Sequence, residues 1–204
     1  MTKALYPFLL ICLSSMLSMA NTIKEISVDV CIYGGSSAGV ISAYTAAKAG
    51  KKVILIEPGS RLGGLSAGGL GQTDIGNKYV VSGLALDFYR KLGAHYGNLE
   101  NWIFEPKVAL GIFNDYISQG GIKVLYQNQL IIVTKTGSSI KEIVVADLDH
   151  KSPAHIRVKA KMFLDCTYEG DLMAKAGASY FVGREDNKVY NETLSGVQFL
   201  KGHQ

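Results

Sequence analysis

The chain predicts an α/β fold in three layers: a parallel sheet, its covering helices, and an inserted antiparallel β-meander. Three observations carry that prediction. Val28–Tyr33 and Val53–Ile56 are short apolar runs, the signature of buried parallel strands. Between them lies an alanine-rich stretch that stops at Gly50, which reads as a crossover helix with a glycine end. From Leu130 to Lys159 the texture changes to short apolar segments separated by turn residues, the pattern of an antiparallel meander.

The elements follow in order. Val28–Tyr33, a helix over Ala38–Ala49 and Val53–Ile56 form a βαβ unit of about thirty residues, the length that a parallel crossover requires. Leu62–Asn77 reads as a long glycine-rich loop, and loops of that length in compact domains usually serve function. Ser82–His95 carries Leu84, Phe88 and Leu92 at helical spacing, with Ser82 placed to cap it. Pro106–Ser118 opens on proline, repeats Val108, Ile112, Phe113 and Tyr116, and precedes Gly120-Gly121. Ile122–Tyr126 is a third strand. The meander comprises Ile131–Val133, a turn at Gly137-Ser138-Ser139, Ile140–Val145, a loop with Pro153, and Ile156–Lys159. Lys161–Asp165 returns as an apolar strand, and Glu169–Ala176 reads as a short helix.

Bulk properties narrow the classes. The chain has 204 residues, 23 glycines and a formal charge of +4. The lysines are scattered and no basic run is interleaved with aromatics, so nucleic acid is not an expected partner. His95, His150, His155 and His203 are not paired at ligand spacing, and no metal is expected. There is no Gly-x-Ser-x-Gly elbow for a serine hydrolase. Asp147, Asp149 and His150 cluster where a solvated turn is the default.

The first twenty residues stand apart. Lys3 gives a positive start, Ala4–Leu13 is apolar, and Ser18-Met19-Ala20 fits the small-x-small rule for cleavage. The run is short for a membrane span, which needs about 20 residues. Residues 1–20 are therefore expected to be a signal peptide cut after Ala20, with an uncleaved anchor as the alternative. Loss of Lys3 takes the charge from +4 to +3. Export permits disulfides, but only Cys31 and Cys166 remain beyond the leader, both in apolar runs and without Cys-x-x-Cys spacing. Two buried free thiols are expected.

The chemistry concentrates after the first strand. A dinucleotide brings a pyrophosphate close to the main chain. The turn must be tight, and the next helix must begin there so that its N-terminus faces the anion. Gly34-Gly35-Ser36-Ser37-Ala38-Gly39 supplies this order. Gly34 makes the turn and Gly39 lets the helix pack close. Ser36 replaces the middle glycine of G-x-G-x-x-G, and its small side chain brings a hydroxyl able to donate to a phosphate. Glu57 ends the second strand 23 residues after Gly34, where a carboxylate accepts hydrogen bonds from ribose hydroxyls. Flanked by two strands and a helix, the fingerprint reads as a Rossmann-like dinucleotide site. Arg61 lies where it can approach a phosphate or remain at the surface.

The continuation, Glu57-Pro58-Gly59-Ser60-Arg61-Leu62-Gly63-Gly64, resembles the segment after the second strand in flavoproteins of the glutathione-reductase type. In those proteins the glycine doublet passes close over FAD. Leu62–Gly71, Phe104–Ala109, Asp165–Leu172 and Val182–Glu185 extend the resemblance to the FAD-dependent oxidoreductase family. Within that family they resemble a secreted bacterial branch whose members are often labelled xanthan lyases. The resemblance implies that Thr167, Glu169 and Asp171 stand near FAD, on the flavin side. The bland reading of these acids is a solvated helix start. Family members run to several hundred residues, so residues 21–204 are expected to be the N-terminal portion of the oxidoreductase domain, with no catalytic base assigned.

The expected function is FAD-dependent redox chemistry on a small molecule, with a carbohydrate as one class, outside the cytoplasm. The alternatives are a non-catalytic dinucleotide-binding fragment and an NAD-dependent dehydrogenase, the latter disfavoured by Gly63-Gly64.

Overall fold

The computed structural model describes residues 23–148, 155–191 and 193. Residues 1–20, expected to be a signal peptide, the segment containing Asp149, His150 and Pro153, and the end with His203 lie outside the described residues.

The chain alternates as expected through its first half. Strand β1 (Lys24–Tyr33) leads through a glycine turn to helix α1 (Ser37–Lys48) and strand β2 (Val53–Glu57). A five-residue helix α2 (Gly64–Gly68) interrupts the glycine-rich stretch that reads as loop in the sequence. A 3-10 turn at Lys78–Val80 precedes α3 (Gly83–Tyr96) and α4 (Pro106–Gln119). Pro106 sits in the first turn of α4, where its missing N–H costs nothing. Ser82 occupies the N-cap of α3, but its side chain makes no capping bond. Strands β3 (Lys123–Tyr126), β4 (Asn128–Thr136), β5 (Ser139–Asp147) and β6 (His155–Asp165) follow, then α5 (Asp171–Lys175).

All six strands form one sheet in the order β3-β2-β1-β6-β5-β4. The first four are parallel; β4 and β5 run antiparallel to their neighbours. The sequence divides Ile156–Lys159 from Lys161–Asp165, giving one piece to the meander and one to the parallel sheet. In the structure both belong to β6. Its first half pairs with β5, while nearly its whole length pairs with β1. Lys159 and Lys161 break the apolar pattern but not the strand, because each side chain meets an acid of β1: Lys159 pairs with Glu25 at 3.0 Å and Lys161 with Asp29 at 2.7 Å. The lysine hydrogen bond holds the half-buried Asp29 carboxyl below its ordinary range.

Each strand of the parallel half feeds two cores. Ile32 and Leu55 face α1, α3 and α4, meeting Val40, Ala43, Leu92, Phe113 and Tyr116. Cys31, Tyr33, Ile54 and Ile56 face the other way, where Leu130, Ile143, Val145 and Leu172 cover them. The antiparallel wing therefore curls back over the parallel strands as a third layer. The hydroxyl of Tyr33 accepts the Leu130 amide at 3.0 Å, which ties β4 to β1 across the sheet. Among the described residues no helix is long and apolar enough to cross a membrane.

Candidate functional site

The site forms at the carboxyl ends of β1, β2 and β6, the edge at which open α/β sheets bind ligands. Gly34 follows β1 with φ +99°, a conformation that disfavours side chains. A Cβ there would lie 2.6 Å from both Cys166 C and Thr167 N, so the end of β6 presses directly on the turn. Gly39 is equally confined, because a Cβ would collide with the Gly34 carbonyl.

Ser36 caps α1, its hydroxyl accepting the Gly39 amide at 3.3 Å. The same hydroxyl donates to the Cys166 carbonyl at 2.7 Å. Its one proton goes to the protein here, where the sequence suggests a donor to a phosphate. A serine hydroxyl has one donor, and here that donor joins the β1 turn to β6.

Glu57 is fixed by the main chain. Its Oε2 accepts the Gly35 amide at 2.5 Å and its Oε1 accepts the Gly59 amide at 2.6 Å. A carboxylate offers about four lone-pair sites, so each oxygen retains capacity for a further donor. The Gly35 carbonyl in turn accepts the Gly63 amide at 2.8 Å, bringing the doublet alongside the first turn.

The third wall is the turn from β6 into α5. Asp165 Oδ1 accepts the Thr167 amide at 3.0 Å and the Thr167 hydroxyl at 2.7 Å, while Oδ2 accepts the Met173 amide at 2.8 Å. The Thr167 hydroxyl accepts the Gly170 and Asp171 amides, both at 3.0 Å. Thr167 therefore braces the turn with all of its hydroxyl capacity.

These turns enclose a cavity of about 230 Å³. Of the sequence-derived residues, Gly34, Ser36, Glu57, Arg61, Gly64, Thr167, Glu169 and Asp171 line it. Gly35 and Gly63 stand behind it, in the hydrogen bonds just described, and Gly39 is packed beneath the turn. Ser37 and Ala38 face a different cavity. Arg61 is exposed, and its guanidinium has no hydrogen-bond or ion-pair partner among the described residues. The carboxylates give the cavity a negative wall. Tyr33, buried beneath it, has its phenol pKa raised by burial and then by Asp171, Glu57 and Asp165.

Sequence reasoning passed over Tyr168. Its hydroxyl crosses to accept the Leu65 amide at 2.8 Å, and a Cβ at Gly64 would collide with it. The position lies inside the quoted Asp165–Leu172 segment, but spacing gives no sign that the ring spans two loops 103 residues apart. Cys166 also lines the cavity, its thiol pushed up by burial, while burial pushes the Cys31 thiol up to about 12.

Comparison with known proteins agrees with this fold. A thiamine thiazole synthase from Pyrococcus horikoshii is 27% identical over 166 residues, spanning 76% of this chain and 63% of the relative. Among solved structures, the flavin-dependent brominase Bmp2 superposes with a TM-score of 0.52 at 16% identity, over 74% of this chain and 41% of its own. A geranylgeranyl bacteriochlorophyll reductase-like protein from Thermoplasma acidophilum gives 0.53 at 16% identity, over 79% and 45%. At such identities these likenesses concern the fold. The chain thus spans under two thirds of the length of each of these proteins. The sequence pattern of the FAD dependent oxidoreductases matches residues 29–204, and the chain belongs to that family, whose cofactor is FAD.

Proposed function

We propose that the cavity receives the adenosine-diphosphate end of FAD and that the protein takes part in oxidation or reduction of a small molecule. The observation that carries the reading is the Glu57 carboxylate, held by two backbone amides at the cavity wall with acceptor capacity left over. A ribose diol supplies the two donors that such an acceptor lacks. The volume of about 230 Å³ is below the range of a whole drug-sized ligand, and it suits part of an extended cofactor.

Charge orders the ligand within the cavity. Glu57, Glu169 and Asp171 favour hydroxyl donors and disfavour phosphates. The pyrophosphate therefore belongs against the N-terminus of α1 and the unpartnered Arg61 guanidinium rather than against these carboxylates. Thr167 and Ser36 contribute by fixing the two turns rather than by touching the ligand through their hydroxyls. When bound, FAD supplies hydride and electron transfer; this chain's residues hold and orient it.

The finer reading concerns setting and substrate. Residues 1–20 act as an export signal, the protein works outside the cytoplasm on a small molecule, with a carbohydrate as one class, and it engages neither nucleic acid nor a stable membrane partner. The motif order of Leu62–Gly71, Phe104–Ala109 and Asp165–Leu172 resembles that of the secreted branch labelled xanthan lyases. A non-catalytic FAD-holding module is the other reading of the same cavity.

Two measurements test the proposal. Titration with FAD and, separately, with NAD should show saturable flavin fluorescence quenching and no comparable NAD binding; tighter NAD binding would reverse the assignment. N-terminal sequencing of protein recovered outside the cytoplasm should begin at Asn21. Recovery of the chain with its first residues intact in the cell would sink the export reading.

A further inference from the structure

Tyr168 carries a hydroxyl that the fold positions without using its proton. Its main chain belongs to the turn from β6 into α5, where Asp165 and Thr167 accept four backbone amides. At the far end of the ring the hydroxyl accepts the Leu65 amide at 2.8 Å. Between these two anchors the ring lies on Gly64, where an added Cβ would stand 3.0 Å from Cζ and 3.1 Å from Cε2. The hydroxyl makes no other hydrogen bond among the described residues, so its own proton has no acceptor there. Tyr168 is 59% exposed and lines the cavity, which leaves that proton within reach of a ligand.

The other side chains of the cavity sort by what they offer an anion. Glu57, Glu169 and Asp171 are carboxylates, which accept and do not donate. The Ser36 and Thr167 hydroxyls give their single protons to the Cys166 carbonyl and to Asp165. The Cys166 thiol is a weak donor. Two strong side-chain donors remain uncommitted, the Arg61 guanidinium and the Tyr168 hydroxyl.

We propose that Tyr168 is a phosphate-contacting residue, donating its hydroxyl proton to the diphosphate that Arg61 attracts. The proposal rests on the reading of this cavity as the seat of the adenosine-diphosphate end of FAD, and it assigns a residue that the reading leaves out. A phenol that accepts one hydrogen bond becomes a better donor of another, because linked bonds polarise each other. A phosphate oxygen takes the proton in a charge-assisted bond, roughly twice as strong as a neutral one. Ribose hydroxyls are drawn instead to the three carboxylates. Arg61 supplies charge from an exposed side chain, whereas Tyr168 supplies position, since both its ends are held before a ligand arrives and little freedom is lost on binding.

The test is calorimetric titration of the full chain with ADP and, separately, with adenosine, which lacks the diphosphate. Tyr168→Phe keeps the ring and removes the hydroxyl. It should weaken ADP about tenfold and leave adenosine within twofold. Added salt should weaken ADP by the same factor in wild type and variant, because the phenol carries no charge. A second measurement needs no variant: nitration of wild-type Tyr168 by tetranitromethane, located by peptide mass spectrometry, should slow with saturating ADP and not with adenosine. Equal ADP affinity in wild type and Tyr168→Phe would overturn the proposal, as would a nitration rate indifferent to ADP. Equal losses for ADP and adenosine would also overturn it, by showing that the hydroxyl only shapes the Leu65 loop. A wild type that binds neither ADP nor FAD would overturn the cofactor reading itself, and this proposal with it.

Discussion

Gly34 and Thr167 stand at the ends of neighbouring parallel strands, and the chain turns at each by a different device. After β1 the turn is made by removing side chains. Gly34 takes a positive φ, Gly39 lets α1 come down on it, and the polar groups of the main chain are left close to the cavity. After β6 the turn is made by adding side chains. Asp165 and Thr167 together accept four backbone amides and share one hydroxyl bond. One turn makes room and the other holds shape. They are joined where Gly34 lies on the Cys166–Thr167 peptide and Ser36 donates to the Cys166 carbonyl. A dinucleotide cavity needs both: open backbone on the phosphate side and a rigid opposing wall.

Breaking the first device should have the largest effect. Gly34→Ala sets a methyl against backbone atoms that cannot withdraw and strains a positive φ at the same residue. We expect a loss of about 3 kcal/mol or more in urea unfolding, with FAD binding abolished. A variant as stable as the wild type would show that the two turns do not press together.

The braced turn should fail by less. Asp165→Ala removes the acceptor of two amides and one hydroxyl, and about 2–3 kcal/mol of stability should go with it. Hydrogen exchange at the Met173 amide should accelerate, whereas the Gly35 amide, held by Glu57, should keep its protection. Equal acceleration at both amides would mean that the turns do not act separately.

The smallest effect is chemical. Alkylation requires a thiolate, and burial raises both thiols. Cys31, fully buried on β1, should stay unlabelled in the native state near neutral pH. Cys166, half-buried at the cavity, should label slowly, and more slowly still with FAD present. Mass spectrometry of alkylated protein decides this; FAD that leaves the Cys166 rate unchanged would argue that the ligand sits elsewhere.

The two turns also differ in how far a sequence reveals them. The first is written in residue type, because only glycines satisfy its sterics, and the strand, helix and carboxylate around it repeat that message. The second is written in contacts. Asp165 and Thr167 are legible as a motif, but their service to the main chain is not, since a serine or threonine hydroxyl gives no sign of where its proton goes. Ser36 shows the same limit: its position is readable, its bond to Cys166 is not. The sheet follows this rule as well. Lys159 and Lys161 look like a strand boundary until their partners on β1 are known, and the curl that brings Leu130 over Tyr33 depends on pairing far apart in the chain.

The central claim is that the Glu57 carboxylate, positioned by Gly35 and Gly59, holds the cofactor. Equilibrium titration of FAD against wild type and Glu57→Ala, each verified as folded, tests it most directly. The account predicts saturable binding to the wild type and an affinity lower by about tenfold in the variant, the equivalent of about 1.4 kcal/mol for the lost ribose contact. Equal FAD affinity in the two proteins would contradict it.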